Sequence, residues 1–435
     1  MSRPLFAVRG SVASLDARAS AVLFDRGSAS DPAVRDRTRR IIDRVRAEGD
    51  VALLAFAREF DGAVMESLEV PRAAWRSALA ALPIPLRRSL ERAAANIRQV
   101  HEAFRPIPRE TVTADGVVIG RRPDALVRVG VYAPGGRAAY PSSLLMGVIP
   151  ARVAGVGEVI VCSPPGRDGL PSAVLMAAAE LAGADRLFAV GGAGAIAAMA
   201  YGTASIAAVD RIVGPGNAYV AEAKAQVASV TAIDSPAGPS ELLVIADDSA
   251  TPAVIARELL AQAEHDPQAA VVLVSTSEAL LMGVEQQLAE LLPREPRADV
   301  ITAALSTRGA LLFAATRDDA VAFANRWAPE HLLLAVRDAE SLLPSVRNAG
   351  TVFVGETASV SFGDYMSGAN HVLPTGGLSR AYSGLSTLDF YRWTTWQRID
   401  RAAAARLARD VAVFADAEGL SAHAASARQW QEESR

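Results

Sequence analysis

Apolar and polar positions alternate in three distinct ways along the chain, and each region predicts its own elements. In DPAVRDRTRRIIDRVRAEGD, Asp31 is placed to cap a helix and Pro32 to open it. Val34, Thr38, Ile41, Ile42 and Val45 then recur at helical spacing as far as Gly49. The outer face of that helix is laden with arginine. Helical sequence also fills 73–103, so the first hundred residues predict helices and contain no run with the character of a central strand.

From Val127 short apolar runs alternate with alanine-rich helical stretches: VRVGVYAP, EVIVCSPP, SAVLMAAAELAG, RLFAVGG, AIAAMAYG and IAAVDRIVG. Strands separated by helices of this length imply right-handed β–α–β units on a parallel sheet. A second series begins at ELLVIADD and runs through TPAVIARELLAQAEH, AVVLVST and a long helix to about Leu292. TVFVG, from Thr351, leads into a glycine-rich region between Ser359 and Gly384, and the chain ends in helical sequence rich in alanine and arginine. No repeat of fixed period and no low-complexity tract interrupts this plan.

Composition narrows the class. Of 435 residues 51% are hydrophobic and 21% charged, which suits a folded protein of two or three domains, and the net charge of −4 comes with no basic face for nucleic acid. The single cysteine, Cys162, excludes an internal disulfide and a cysteine-rich zinc cluster. The longest apolar stretch, over 172–184, is too short to cross a bilayer and contains a charge, and MSRPLFAVRG lacks the apolar core of a signal peptide, so the expectation is a cytoplasmic protein without a membrane partner.

Candidate chemistry concentrates late in the chain. Four of the five histidines, His265, His331, His371 and His423, lie beyond residue 260, each near a polar group. Gln262 and His265 are three apart at a helix end and share a face; Asp364 precedes His371 in GDYMSGANHVLP; Glu418 precedes His423 in AEGLSAHAAS. Imidazole, carboxylate and amide oxygen together suit zinc with an exchangeable position, and also manganese or another divalent ion. Each histidine alone reads first as a helix cap or a satisfied core group, and it is the four together in acidic or amide contexts that point to a metal. In WAPEHLLL, Glu330 and His331 stand together before a strand, as a proton relay or as a solvated turn. Gly192-x-Gly194-x-x-Ala197 follows a strand and opens a helix, the spacing of a dinucleotide-binding turn, although glycine there also permits close helix–strand packing. The loops VYAPGGRAAYPSS and RIVGPGNAYV place Gly and Pro at strand ends on the expected ligand side of a parallel sheet.

Taken together, IIDRVRAEGDVALLAFAREFDG, VGVYAPGGRAAYPSSLLM, VDRIVGPGNAYVAEAKAQV, AIDSPAGPSELLVIADD, LLAQAEHDP, APEHL, GDYMSGANHVLPTGG and LSAHAAS resemble the histidinol dehydrogenase family, in the right order over roughly residues 30 to 430. The resemblance implies an α/β fold of two Rossmann-like parallel-sheet domains, similar to aldehyde dehydrogenases, with helical N- and C-terminal extensions. The expected division is an extension over 1–30, a first domain from 31–131 plus 241–384 with a helical N-terminal part, a nucleotide-binding domain over 132–240, and a helical dimerisation segment over 385–435. It further implies one zinc per subunit on Gln262, His265, Asp364 and His423, the last crossing from the partner in a homodimer with a shared active site. Glu330 and His331 become the acid–base pair, Ser240, His371 and Glu418 join His331 and the zinc ligands around the substrate, and Tyr132, Asn217 and Gly194 lie against NAD. The implied activity is oxidation of L-histidinol through histidinal to L-histidine with two NAD, the last steps of histidine biosynthesis.

Two departures from the family pattern stand out. Gly194 occupies a position where the family usually carries a cofactor-touching glutamine, and SGLSTLDFYRWTTWQRID is unusually aromatic, with Trp393 and Trp396 expected to pack near a dimer interface. The competing readings are a paralogue acting on another small alcohol, such as a sulfonated propanediol, a zinc hydrolase, and a silent relative that kept the fold. Glu418, an anion suited to a cationic amine, favours histidinol.

Overall fold

A computed structural model describes residues 5–26, 31–135 and 139–431. Two parallel sheets dominate it. The larger runs in the order Val8–Ser11, Ala310–Phe313, Ala270–Ser275, Glu241–Ala246, His331–Ala335 and Thr351–Val354. The smaller runs Arg186–Ala189, Glu158–Ser163, Arg128–Tyr132, Arg211–Val213 and Ala232–Ile233. Both have helices on each face, which is why their central strands are almost wholly apolar and buried: every residue of Glu241–Ala246 and Ala270–Ser275 is buried. The strand and helix runs expected between Val127 and Leu292 and at Thr351 are all present.

The N-terminal helices cover the smaller sheet. Asp31 accepts from Ala33 N at 2.9 Å and Pro32 opens the helix Pro32–Glu48, whose Thr38, Ile42 and Val45 are buried against Gly192–Tyr201 and Ala218–Val227. Arg72–Ala81 packs on Ala173–Ala182, and Ile84–Ala103 on Pro141–Ala154, so that Trp75 and Ile97 share a core with Val129, Val131 and Leu144. Arg128–Tyr132 is the central strand of the smaller sheet, and the apolar faces of the preceding helices match that sheet's layer of alanine-rich helices.

Both ends of the chain depart from expectation. Within the 1–30 segment, Val8–Ser11 forms an edge strand in register with Ala310–Phe313, too short to signal itself by pattern. The 385–435 segment does not begin as helix. Tyr391–Arg398 pairs antiparallel with Val118–Ala125, which pairs in turn with Arg109–Val112. There the tryptophans find partners within the chain: Trp396 lies over Gly120, where a Cβ would come within 2.1 Å of the ring, and Arg121 stacks on Trp393 at 4.5 Å. The helices Arg401–Ala417 and Ser421–Arg428 follow.

Candidate active site

The smaller sheet presents the carboxyl ends of its strands to one side of the molecule, and there the glycine turns gather. After Arg186–Ala189 the chain opens the helix Gly192–Tyr201, and after Arg211–Val213 Asn217 caps Ala218–Val227, its Oδ1 accepting from Tyr219 N at 3.0 Å and Val220 N at 3.2 Å. Gly194 and Asn217 both line a cleft of ≈ 260 Å³. Tyr132 is buried beneath it, and its hydroxyl accepts from Gly192 N at 3.1 Å. Burial pushes that phenol up to about 12, only partly countered by the Gly192 hydrogen bond, so it stays neutral. Of the loop VYAPGGRAAYPSS, residues 136–138 lie outside the described residues.

The larger sheet meets the site by its opposite edge. Helix Arg317–Trp327 ends at Ala328, which takes a φ of 53°, the only positive φ of a non-glycine residue among the described residues. That turn delivers Pro329, Glu330 and His331 to the amino end of the strand His331–Ala335, with both Glu330 and His331 buried. The next strand over begins at Glu241, and its main chain fixes both members of the pair. Glu241 N donates to Glu330 Oε2 at 2.7 Å, and Glu241 O accepts from His331 Nδ1 at 3.0 Å. A carbonyl can only accept, so Nδ1 carries a hydrogen and Nε2 is the atom free to exchange a proton. Nε2 is buried without a hydrogen-bond partner and points at Asp364 Oδ1, 3.6 Å away and beyond hydrogen-bond length.

Glu241 and Arg26 were not singled out in the sequence. The Glu241 carboxylate is buried, paired with Arg26 Nη1 at 2.5 Å and accepting from Gly376 N at 2.8 Å. Arg26 lies 3.6 Å from the centroid of the Trp327 ring and donates to the Trp327 carbonyl. Burial raises the Glu241 pKa, opposed by Arg26 and reinforced by the charge of Glu330. Glu241 stands inside the quoted run AIDSPAGPSELLVIADD, but one carboxylate at a strand start carries no periodic signal, and nothing around Arg26 marks it as a buried cation.

Electrostatics tie His331, Asp364, His371 and His265 into one cluster. Burial disfavours charge on His331, but Glu330, 3.4 Å from its Nδ1, and Asp364 outweigh this and hold its pKa well above the usual imidazole value. Burial likewise opposes ionisation of Asp364, yet His331, then His371 and His265, bring its pKa below the ordinary carboxylate value. His371 has its own pKa lowered, chiefly by burial. Both its nitrogens are engaged, Nδ1 with Asp364 O at 2.8 Å and Nε2 with Ser143 Oγ at 3.1 Å, and Ser143 belongs to the helix that follows the central strand of the smaller sheet. That pair stitches the two sheets together across the site.

Gln262 is buried in the last turn of Pro252–Ala263, His265 is exposed just beyond it, and Ser240 is half-buried immediately before the strand Glu241–Ala246. His423 and Glu418 are exposed on the C-terminal helical segment, which folds back on Arg401–Ala417. Among the described residues no three His, Cys, Asp or Glu side chains converge as a ready metal cage within one chain. Asp364 feels the charge of His265, and the chemistry of that carboxylate and imidazole, with the Gln262 amide three residues before His265, suits zinc with positions left for further ligands.

The histidinol dehydrogenase family model matches residues 24–430. The histidinol dehydrogenase of Halobacterium salinarum is 50% identical over 405 residues, 93% of this chain and 94% of the relative, and that of Bordetella parapertussis 45% identical over 401 residues, 92% and 91%. The crystal structure of histidinol dehydrogenase from Elizabethkingia anophelis superposes with a TM-score of 0.93 at 32% identity, covering 98% of each chain. A buried Glu–His pair facing a carboxylate, between two parallel sheets of this topology and with matches of this length, places the chain in the histidinol dehydrogenase family.

Proposed function

We propose that this chain oxidises L-histidinol to L-histidine in two steps through histidinal, using zinc and two NAD as a cytoplasmic homodimer with a shared site. The observation that supports this most is the buried His331 Nε2, unpartnered, aimed at Asp364 and backed by Glu330. Bound zinc supplies an anchor for the amine and imidazole of the amino alcohol, and bound NAD an acceptor for hydride. Gln262, His265 and Asp364 hold that metal, with His423 contributed across the dimer. Ser240, His371 and Glu418 orient the substrate, and Tyr132, Asn217 and the backbone at Gly194 receive the dinucleotide.

His331 Nε2 takes the hydroxyl proton as the carbinol carbon loses hydride, leaving the aldehyde. Glu330 and Asp364 jointly favour the imidazolium that forms when the ring takes this proton. Glu330, held by Glu241 N on one oxygen, then accepts the proton of the water that adds to the aldehyde, and the hydrate gives up a second hydride to become the acid. Its position beside His331 lets the proton pass between them.

The test is NADH formation from L-histidinol by zinc-loaded protein, run beside a panel of small diols and repeated after chelation. Two NADH per histidinol, lost on chelation and restored by zinc, are expected. Turnover of another alcohol but not histidinol identifies a paralogue, and no NADH from any alcohol overturns the reading.

A further inference from the structure

The cleft at the carboxyl edge of the smaller sheet contains a cation that no assigned role uses. Its floor is the turn at Gly191 and Gly192 that opens a helix, and at Gly194 that floor is bare backbone. A side chain there would be crowded at its base, since a Cβ would stand 3.3 Å from Leu53 and 3.4 Å from Phe56. No side chain enters the cleft from Gly194, and the wall there is apolar, with the Phe56 and Phe60 rings stacked at 5.4 Å.

Arg37 stands over that wall. It comes from the exposed face of Pro32–Glu48, and its guanidinium lies 5.5 Å from the Phe60 ring and 5.6 Å from the Tyr219 ring, flanked by one aromatic from each side of the cleft. Two rings restrict a long side chain that would otherwise be free in solvent. Neighbouring Arg35, Arg39 and Arg40 share the helix, but Arg37 is the arginine of this helix that lines the cleft. Among the described residues no carboxylate pairs with it. Asp61, in the same lining, is pushed up to about 6 by burial alone, with no cation pulling it down. An unneutralised guanidinium, a separate desolvated carboxylate and the amino end of a helix in one cleft match a ligand that carries both phosphate and hydroxyl groups.

We propose that Arg37 binds a phosphate of the dinucleotide, supplying the polar anchor that Gly194 cannot. The inference rests on the reading that NAD enters this cleft. The diphosphate bridge, common to NAD and NADP, is the source favoured by Asp61, whose carboxylate would accept ribose hydroxyls and repel an extra phosphate on them.

The experiment compares parent, Arg37→Gln and Arg37→Lys protein in two assays. In turnover with saturating histidinol, Arg37→Gln is expected to raise the KM for NAD about tenfold, with the KM for histidinol unmoved and Arg37→Lys recovering part of the loss. The parent's KM for NAD should climb with ionic strength, and that dependence should flatten in Arg37→Gln. An equal loss with NAD and NADP assigns the contact to the diphosphate, whereas a loss confined to NADP assigns it to the 2′-phosphate. The second assay is calorimetric binding of ADP, which needs no turnover. Parent that binds ADP but makes no NADH leaves the cleft standing and removes the histidinol reading. A KM for NAD and an ADP affinity within twofold of parent in Arg37→Gln, or no ADP binding by the parent, overturns the proposal.

Discussion

The two parallel sheets meet the site by opposite edges and furnish it differently. The smaller sheet follows the general rule for open α/β sheets, with glycine turns and an open cleft beyond the carboxyl ends of its strands. The larger sheet reverses the rule. Glu330, His331 and Glu241 are at the amino ends of its strands, and Gln262 and His265 arrive there because a helix returning from the far edge ends where the next strand begins. One edge is roomy and bounded by main chain and aromatic rings, the other closed around charged side chains that hold one another in place. In the proposed reaction the proton chemistry would take the closed side, where an imidazole is fixed to one tautomer, and the exchangeable dinucleotide the open side.

The largest effect that would sharpen this contrast comes from Glu330. Glu330→Gln keeps the shape and the hydrogen bond from Glu241 N but removes the base, so oxidation of histidinal is expected to slow by about 10² to 10³ and the alcohol step by much less. Single-turnover rates starting from histidinol and from histidinal separate the two. Equal slowing of both steps would mean that Glu330 serves the closed edge only as scaffold.

Of comparable size is the loss expected at the buried pair behind it. Arg26→Met would leave the Glu241 carboxylate buried without its cation, at a cost of about 3 to 5 kcal/mol in unfolding by denaturant. The double variant Arg26→Met with Glu241→Gln removes both charges and should recover most of that stability. A single variant as stable as the parent would show that the closed edge does not depend on this pair, and the contrast with the open edge would lose its physical basis.

How much of this was legible in the sequence follows from the same contrast. The alternation of strands and helices between Val127 and Leu292 was readable because sheets buried on both faces demand long apolar runs. The Glu330–His331 pair and the turn at Gly192 were readable because adjacent polar residues or glycines interrupt such runs. Arg26, Glu241 and Ser143 were not, because each acts through partners about ninety residues or more away in the chain, and no local spacing records that. The packing of the N-terminal helices on the smaller sheet was not legible for a related reason. Their apolar faces show that they pack but not on what. Val8–Ser11 and Tyr391–Arg398 escaped because a four-residue edge strand and a half-exposed antiparallel strand lack the apolar continuity of the central ones.

The smallest expected effect concerns the fifth histidine, which belongs to neither edge. His101 is buried in the last turn of Ile84–Ala103, its Nδ1 3.1 Å from Thr387 Oγ1, which itself donates to the His101 carbonyl. That hydroxyl hydrogen is committed, so Nδ1 must be the donor and Nε2, buried without a partner, holds a bare lone pair. Burial lowers the pKa to about 4 from 6.5, so the folded protein keeps this ring neutral where the unfolded chain protonates it. The stability contributed is fully present above pH 6.5 and is lost as pH falls from there toward 4, by roughly 3 kcal/mol in all. His101→Phe, which fills the site without a titrating group, should flatten the fall in urea midpoint between pH 7 and 5 relative to the parent. His331 lies in the opposite situation, beside carboxylates that favour its charge, whereas burial lowers the pKa of His371 as it does that of His101, so an unchanged slope in His101→Phe would move the acid sensitivity from this helical layer to His371 at the closed edge of the larger sheet.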